Sequence, residues 1–488
     1  MHKEADLAAD RRKREGSEVS RLAREELGQF VWPETKDTSM ATASAAIALM
    51  AQNPSLPAVE VPMHFGDVYA RADALIPSAG GYILRETKAS SYPLNKDKSA
   101  TGKPDADHVM DVAIQAWVMA NSGIPCVGME LNLLDNQWRY PRSGDYSGLF
   151  KQLPVMDEVL EVLAEVPLLV ASATQVLNGP MPTVTTGTQC TKGHPCPFQD
   201  FCKQHDPKGP VHPIELLPGS AGKSLAKKLK ASLGYTSLLD PSPSDLVGAG
   251  KQLYLRMQKA HASGVAILEP NAGDALSLLP YPRYFFDFEG IDYAVPVWVG
   301  VRPYEQVTFQ WSCHIEDSPG VFRHVEFLDL SGGDPSLACI SAMLAAIPTG
   351  AEPILVYSAT YEKGRLAELA HRHPSYAPQL ESYISRLVDL LPMVKEGYYH
   401  PEMKGSFSLK KVVAAAVTQL AYGGLNEVQD GIQAQLAYLE AVGAPTVTAA
   451  RKSEIELNSL AYCKQDTWSM VQVAGLLTGT SVSVMPPP

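Results

Sequence analysis

YFFDFEG, residues 284–290, is an aromatic run that carries two acids and predicts a buried β-strand. Side chains at positions i and i+2 of a strand share a face, so Asp287 and Glu289 point together while Phe286 and Phe288 point the other way. Two neighbouring carboxylates in an apolar strand repel each other and are costly to bury without positive charge between them. A divalent metal ion would supply that charge, so the stretch predicts a metal site.

Further acids follow in elements that could reach the same place. Tyr462 and Asp466 are four residues apart in YCKQD, a spacing that puts both on one face of a helix. LVYSATYEKGRL (355–366) predicts a strand entering a helix, with Glu362 in the first turn. Two-metal phosphodiester cleavage needs several carboxylates around ions about 3.5–4 Å apart, together with a group that orients water. The expected metal ligands are Asp287, Glu289, Glu362 and Asp466, with Tyr462 as the orienting hydroxyl.

The pattern around these residues indicates an α/β domain. Predicted strands are YFFDFEG, VTFQWSCHI, HVEFLDL and PILVYS, and predicted helices cover about 334–347, 361–372, 408–420 and 453–477. Strands that come first and then alternate with helices suggest a mixed sheet with helices on both faces.

The order D-x-E, an aromatic residue followed by an acid, and Y-x-x-x-D resembles the DEDD exonucleases of the tyrosine subtype, which have an RNase H-like fold. Residues 280–475 more closely resemble a bacterial family, domain of unknown function 2779, in the motifs YFFDFEG, PYEQVTFQWSCH, VYSATYEKGRL, RLVDLLP, GSFSLKKV and YCKQDTWSM. The resemblance implies hydrolysis of nucleic acid with Mg²⁺ or Mn²⁺. The chain departs from the DEDD pattern at Glu362, where the pattern has Asp, and at Ser358, where it has Asn. Asp389 is a second candidate for the third carboxylate.

Two lysines follow the turn at Gly405-Ser406, at the predicted start of a helix. Lys410 and Lys411 could face a phosphate backbone, although lysines in such positions more often only solvate a helix.

The N-terminal half predicts a β-hairpin from DVYARADALI and GYILRETKAS, then a helix over about 105–121, the strand CVGMELNLL and helical sequence to about 177. Charged helical sequence over 6–28 and an apolar helix over 40–52 precede the hairpin. Glu86 and Lys88 share a face of the second hairpin strand and can lie across from Asp73. Gln115 lies in the following helix.

An Asp followed by E-x-K on the adjoining strand resembles the PD-(D/E)XK nucleases, and Gln115 matches a glutamine of RecB-type members. In that family the acids, here Asp73 and Glu86, hold Mg²⁺, and the lysine, here Lys88, neutralises developing charge or positions water. A histidine common near the start of such domains is not evident, and GSEVSRLARE stands in the equivalent region.

Cys190, Cys196 and Cys202 lie within thirteen residues, which indicates a metal or cluster site rather than a secreted disulfide framework. Their spacing resembles the [4Fe–4S] cluster of RecB-like and CRISPR-associated nucleases, where four thiolates bind the cluster. The fourth thiolate of those proteins is upstream, so a chain that starts late is expected. The alternative is Zn²⁺ bound by the three cysteines with His194 or His205. Unliganded cysteines are the least expected case.

The 488 residues predict two domains and a linker. Residues 1–205 form a restriction-endonuclease-like α/β domain and 280–480 an RNase H-like α/β domain. The helical linker over 206–279 includes 224–240, where Gly234 separates two short helices that resemble a helix-hairpin-helix element, with a plain linker as the alternative.

The expected function is metal-dependent hydrolysis of DNA or RNA, 3′→5′ on single strands. The formal charge of −12 weighs weakly against a nucleic-acid binder. The rival class is a nucleic-acid-binding or scaffold protein whose sites have decayed. No signal peptide and no run of about 18 uninterrupted apolar residues is present, so a cytoplasmic protein without a membrane span is expected.

Overall fold

The computed structural model describes residues 7–33, 38–95, 101–190, 196–416, 428, 430–443, 447–480 and 485. The chain divides into two compact units. The N-terminal unit comprises Met1–Pro207 and Asp292–Glu305, and the C-terminal unit comprises Lys208–Ile291 and Gln306–Pro488.

A mixed five-stranded sheet forms the centre of the N-terminal unit, in the order β1-β2-β3-β4-β5. Its strands are β1 (Ala58–Phe65), β2 (Val68–Ser78), β3 (Gly81–Ser91), β4 (Cys126–Leu134) and β5 (Phe150–Pro154). The predicted hairpin is confirmed as the antiparallel pair β2–β3, and β3 pairs in parallel with β4. The sequence predicts helix after β4, and this prediction is wrong at β5, which is a strand. Phe150 and Leu153 are three apart and both buried, a helical spacing, and only pairing with β4 makes the segment a strand.

Helices cover this sheet and follow it. They are α1 (Leu7–Glu26), α2 (Met40–Gln52), α3 (Ala106–Asn121), α4 (Met156–Val162), α5 (Val166–Asn178) and α6 (Gln199–Lys203), with 3₁₀ turns at Leu163–Glu165 and Thr188–Cys190. The predictions for α1, α2 and α3 are confirmed. The Asp105 carboxylate accepts from the Asp107 amide and so begins α3. Val112 and Ala113 of α3 are fully buried, which fixes the helix on the unit's core.

Met156–Asn178, which spans α4 and α5, is long and apolar enough to cross a membrane by length and composition alone, and 11% of its most apolar window is buried. Core helices and signal sequences pass the same test. The segment also carries Glu161 and Glu165. Acidic side chains are rare within membrane spans because their charge is costly to bury in hydrocarbon.

The C-terminal unit contains a second mixed sheet, in the order β11-β10-β7-β8-β9, and a two-stranded sheet of β6 and β12. Its strands are β6 (Ile267–Leu268), β7 (Arg283–Ile291), β8 (Val307–Ser318), β9 (Val321–Leu328), β10 (Ile354–Val356), β11 (Leu387–Asp389) and β12 (Tyr398–Tyr399). β7 pairs antiparallel with β8 and parallel with β10, so the predicted mixed sheet is confirmed.

The helices of this unit begin ahead of the sheet and continue beyond it. They are α7 (Gly219–Leu233), α8 (Lys251–Ser263), α9 (Asp274–Ser277), α10 (Ser336–Ala346), α11 (Thr360–Arg372), α12 (Ala377–Ser385), α13 (Leu390–Gly397), α14 (Leu409–Ala416), α15 (Gly431–Gly443) and α16 (Ala449–Thr478). Turns of 3₁₀ helix lie at Ile214–Leu216, Pro374–Tyr376 and Pro401–Met403.

The second short helix predicted after Gly234 is absent from the described residues. Gly234 ends α7 in the left-handed conformation, with φ 70°. The Asp240 carboxylate then accepts from the amides of Thr236 and Ser237, which holds a turn instead of a helix.

The two faces of the C-terminal sheet are chemically different. Phe286, Phe288 and Trp311 lie in one apolar cluster together with buried side chains of α10 and α11. The opposite face of β7 carries Asp287 and Glu289, and there α16 packs across β7 and β8. This polar face is where the candidate site lies.

Candidate metal centre

Three predicted acids come together on this face. Asp287, Glu289 and Asp466 each offer one carboxylate oxygen, and these oxygens lie within 4.8 Å of one another. Divalent ions such as Mg²⁺ bind oxygen at about 2.1 Å, so ligands on opposite sides of one ion are roughly 4 Å apart. The three carboxylates are therefore within small side-chain adjustments of sharing an ion.

Burial and the charges of neighbouring carboxylates oppose ionisation of Asp287 and Glu289. Burial, followed by the charges of Glu289 and Asp466, raises the pKa of Asp287 well above its usual range. Burial, followed by the charge of Asp466, raises the pKa of Glu289 to about 8. A bound cation would stabilise the ionised carboxylates and so lower their pKa values.

Glu362 completes the set from the first turn of α11. It is 2% exposed, and burial raises its pKa to about 7. A hydrogen bond links it to Asp287. Its Oε2 atom is buried and has no hydrogen-bond partner among the described residues. A buried carboxylate oxygen without a partner is costly, and a cation would satisfy it.

The Asp389 carboxylate is held by backbone amides. Its carboxylate accepts hydrogen bonds from the amides of Ser358, Ala359 and Leu391 at 2.9–3.0 Å. It therefore caps α13 and holds the backbone that leads into α11, including Ser358 at φ 73°. Asp389 does not line the cleft around the acids, so the geometry favours Glu362 as the fourth carboxylate.

Tyr462 stands one helical turn before Asp466 and is hydrogen-bonded to it. Burial, followed by the charge of Asp466, raises the pKa of Tyr462, so its hydroxyl is protonated. Lys410 Nζ donates to Tyr462 Oη at 3.1 Å and lies 4.6 Å from the centre of the ring. The structure thus places Lys410 in the site rather than on an outer helix face.

Hydrogen bonds to β8 fix the position of α16. Gln310 Nε2 donates to the Ser459 carbonyl at 2.7 Å. The Thr467 hydroxyl lies 2.9 Å from Ser312 Oγ and 2.8 Å from His314 Nδ1. Because Thr467 follows Asp466 directly, these bonds also set the position of the Asp466 carboxylate.

The acids open into a cleft of about 590 Å³. Its described lining is Asp287, Phe288, Glu289, Gln306, Tyr357, Ser358, Tyr361, Glu362, Ser408, Leu409, Lys410, Asp430, Gly431, Ile432, Gln435, Tyr462, Asp466 and Met470. Sequence analysis missed Asp430 and Gln435. Asp430 precedes α15 and accepts from the Gln433 amide, and Gln435 donates to the Gly290 carbonyl at 2.9 Å. No motif marks either residue.

The N-terminal unit also brings its predicted residues together. The Thr87 amide donates to Asp73 Oδ2 at 2.9 Å. Glu86 accepts from Lys88 Nζ and from Gln115 Nε2, both at 2.8 Å. Lys88 also pairs with Asp111, which sequence analysis missed although it lies one turn before Gln115 on the same face of α3.

In the hairpin group, defined as Asp73, Glu86, Lys88, Asp111 and Gln115, the ammonium of Lys88 is ion-paired with two of the three acids. Burial, followed by the charge of Glu86, raises the pKa of Asp73 to about 7. Glu60 of β1 is ion-paired with Arg24 of α1 and with Arg71. Arg24 lies in the segment GSEVSRLARE, where the resemblance implies a histidine. The adjoining cavity is only about 10 Å³.

The cysteines give no comparable centre in the described part of the chain. Cys190 is buried, Cys196 and Cys202 are half-buried, and all three are free. Where the structure is described, their sulfurs do not form a group of the kind made by the three carboxylates. His194 lies outside the described residues. His205 is bonded through Nδ1 to the Phe201 carbonyl.

Comparisons with known proteins support one part of the prediction. No curated protein and no solved structure matches the chain. Residues 284–408 match the family described as Domain of unknown function (DUF2779). That range holds Asp287, Glu289 and Glu362 and ends before Lys410. The match supports the family that the sequence motifs indicate.

Proposed function

We propose that the C-terminal unit is an RNase H-like, divalent-metal-dependent nuclease that hydrolyses phosphodiester bonds of DNA or RNA, 3′→5′ on single strands. One observation carries the proposal. Asp287, Glu289 and Asp466 converge within 4.8 Å in an open cleft, beside a Glu362 oxygen that is buried without a hydrogen-bond partner. A carboxylate set of this kind suits hard divalent cations.

The donor set fits Mg²⁺ or Mn²⁺, which Asp287, Glu289, Asp466 and Glu362 would hold. Such ions polarise phosphoryl oxygens and lower the pKa of bound water. The protein's own contribution is positioning. Tyr462 presents a protonated hydroxyl beside Asp466, suited to orienting a water molecule.

Purified protein, incubated with 5′-labelled single-stranded DNA and RNA in Mn²⁺ or in EDTA, tests this proposal. We expect a ladder of products shortened from the 3′ end in Mn²⁺ only, and no ladder from the Asp466→Asn variant. Absence of cleavage of both nucleic acids in Mn²⁺, with correctly folded protein, would contradict the proposal. Equal cleavage by wild type and variant would assign the activity to another site or to a contaminant.

We propose a restriction-endonuclease-like fold for the N-terminal unit, with nucleic-acid binding as its second candidate function. Lys88 is ion-paired with both Glu86 and Asp111, so the cation that the resemblance assigns to catalysis there is already engaged. The [4Fe–4S] and zinc assignments of Cys190, Cys196 and Cys202 remain proposals, tested by iron and zinc content after anaerobic purification. A cytoplasmic location without a membrane partner is likewise a proposal.

A further inference from the structure

Among the described residues that line the acidic cleft, one side chain is basic, that of Lys410. Its position is fixed by the helix that carries it. Val412 and Val413 of α14 are fully buried, and the Tyr357 hydroxyl donates to the Phe407 carbonyl at 2.7 Å just before the helix. The ammonium group is therefore held at the site by packing of its own helix.

The contact with Tyr462 is made in two ways. Lys410 Nζ donates to Tyr462 Oη at 3.1 Å, and the ammonium lies 4.6 Å from the ring centre, within cation–π range. An ammonium group can only donate hydrogen bonds, so it must occupy a lone pair of the phenol oxygen. The tyrosine's single hydrogen is then left to point toward Asp466, with which it is bonded.

We propose that Lys410 is a positioning residue for hydrolysis, which holds the Tyr462 hydroxyl in one orientation. This inference rests on the proposed function and adds to it a residue that acts through the tyrosine. Without the ammonium group, the hydroxyl can rotate and the ring loses a contact on its face. Metal ligation is assigned to the carboxylates. The Lys410 charge acts on Glu289, so its loss removes a cation beside the ions; we expect slower turnover with ion binding retained.

Lys411 offers a matched control, because it is the next residue of α14 and is exposed. The variants are Lys410→Met, Lys410→Arg, Lys411→Met, Tyr462→Phe and the double variant Lys410→Met with Tyr462→Phe. Methionine keeps the length and apolar stem of lysine without its charge. Arginine keeps a cationic donor.

The experiment measures kcat and KM on single-stranded DNA with Mn²⁺, and Mg²⁺ affinity by calorimetry. We expect Lys410→Met to lower kcat by about 10- to 100-fold, the loss of one hydrogen bond to a charged group, with KM unchanged. Lys410→Arg should retain part of the rate, and Lys411→Met all of it. Mg²⁺ affinity of Lys410→Met should stay within about threefold of wild type. The double variant should be no slower than Tyr462→Phe alone, since both changes remove one function.

Other outcomes overturn the inference. Multiplying losses in the double variant, or a rise in KM alone, would assign Lys410 to direct contact with the substrate. Loss of Mg²⁺ binding together with activity would assign it to structure. Equal kcat for wild type and Lys410→Met would remove it from the reaction while leaving the proposed function standing. Absence of cleavage by wild type would overturn the proposed function itself, and this inference with it.

Discussion

Five acidic side chains line the cleft of the C-terminal unit, and burial opposes the ionisation of three of them, Asp287, Glu289 and Glu362. Ionisation of Asp287 is opposed by burial and by the charges of Glu289 and Asp466, which raise its pKa. Without bound cations, the acids retain protons that a divalent ion would have to displace. Two predictions at the scale of single residues follow from this arrangement.

Asp287→Asn should abolish metal-dependent cleavage and leave the fold intact, because it removes a ligand and no core volume. In EDTA the variant should be at least as stable as wild type, since a neutral amide relieves the repulsion. Scanning calorimetry with and without Mg²⁺ measures both effects. Mg²⁺ should raise the Tm of wild type and of Asp317→Asn, an exposed control on β8, but not that of Asp287→Asn. An equal Mg²⁺ shift in all three proteins would place the ion elsewhere.

Stability in EDTA should fall as pH rises. Burial raises the pKa of Glu289 to about 8 and that of Glu362 to about 7, above the ordinary glutamate value of 4.5. Between about pH 4.5 and pH 8, the folded protein therefore binds more protons than the unfolded chain does. The resulting stability is fully present below about pH 4.5 and is lost as pH rises through 7 and 8. Thermal unfolding from pH 5 to 9 should show this fall in EDTA and a growing stabilisation by Mg²⁺, and a flat EDTA profile would contradict it.

Asp389 gives a contrasting residue-scale prediction. Because its carboxylate satisfies three backbone amides, Asp389→Ala should destabilise the C-terminal unit by at least about 1–2 kcal/mol, the upper range for loss of a helix cap. Its Mg²⁺ affinity should stay close to that of wild type. Urea unfolding and calorimetric Mg²⁺ titration measure the two quantities. Loss of Mg²⁺ binding from a folded variant would make Asp389 a ligand after all.

At the scale of elements, α16 determines whether the site exists. Asp287 and Glu289 are fixed by alternation along β7, but Asp466 reaches them only when α16 lies in the correct register on β8. The Thr467 hydroxyl sets that register through Ser312 and His314. His314 is fully buried, and its Nε2 atom has no hydrogen-bond partner among the described residues.

Thr467→Val should therefore destabilise the unit by about 1–3 kcal/mol, because it leaves buried polar groups on β8 without their partner. It should also weaken Mg²⁺ binding, since Asp466 loses its fixed position. Thr478→Val is the matched control, because the Thr478 hydroxyl bonds only near the end of its own helix. Urea unfolding and Mg²⁺ titration compare the two. Equal small effects of both substitutions would show that packing alone positions α16.

At the scale of the whole molecule, two groups of acids differ in how their charges are balanced. In the hairpin group of the N-terminal unit, Lys88 is ion-paired with Glu86 and Asp111, and the cavity beside Asp73 is very small. The C-terminal cleft is larger and has one basic side chain against five acids in its described lining. The difference predicts that cleavage belongs to the second group.

Asp73→Asn in the full-length chain should keep most Mn²⁺-dependent cleavage, within about threefold of wild type, whereas Asp287→Asn should lose it. The substitution removes a charge whose ionisation burial and Glu86 already oppose, so the fold should tolerate it. Single-turnover digestion of labelled DNA and RNA measures both variants. If Asp73→Asn removed cleavage and Asp287→Asn did not, the active site would be in the N-terminal unit.

The sequence by itself determined the local features. Alternation placed Asp287 with Glu289 and Glu86 with Lys88, because strand geometry fixes the face of every second side chain. Periodicity predicted α3, β4, the strand YFFDFEG and the three strands that follow it close to their observed bounds. These patterns depend on residues that are close together in the chain, so they can be read without knowing which distant elements pack against them.

Tertiary structure decided which distant elements meet. Phe150–Pro154 became a strand only by pairing with β4, and Asp389 became a backbone cap because its oxygens meet three amides. Lys410 could not be separated from Lys411 in the sequence, yet only Lys410 lines the cleft. Each of these outcomes depends on contacts between residues far apart in the chain, and local periodicity carries no information about such contacts.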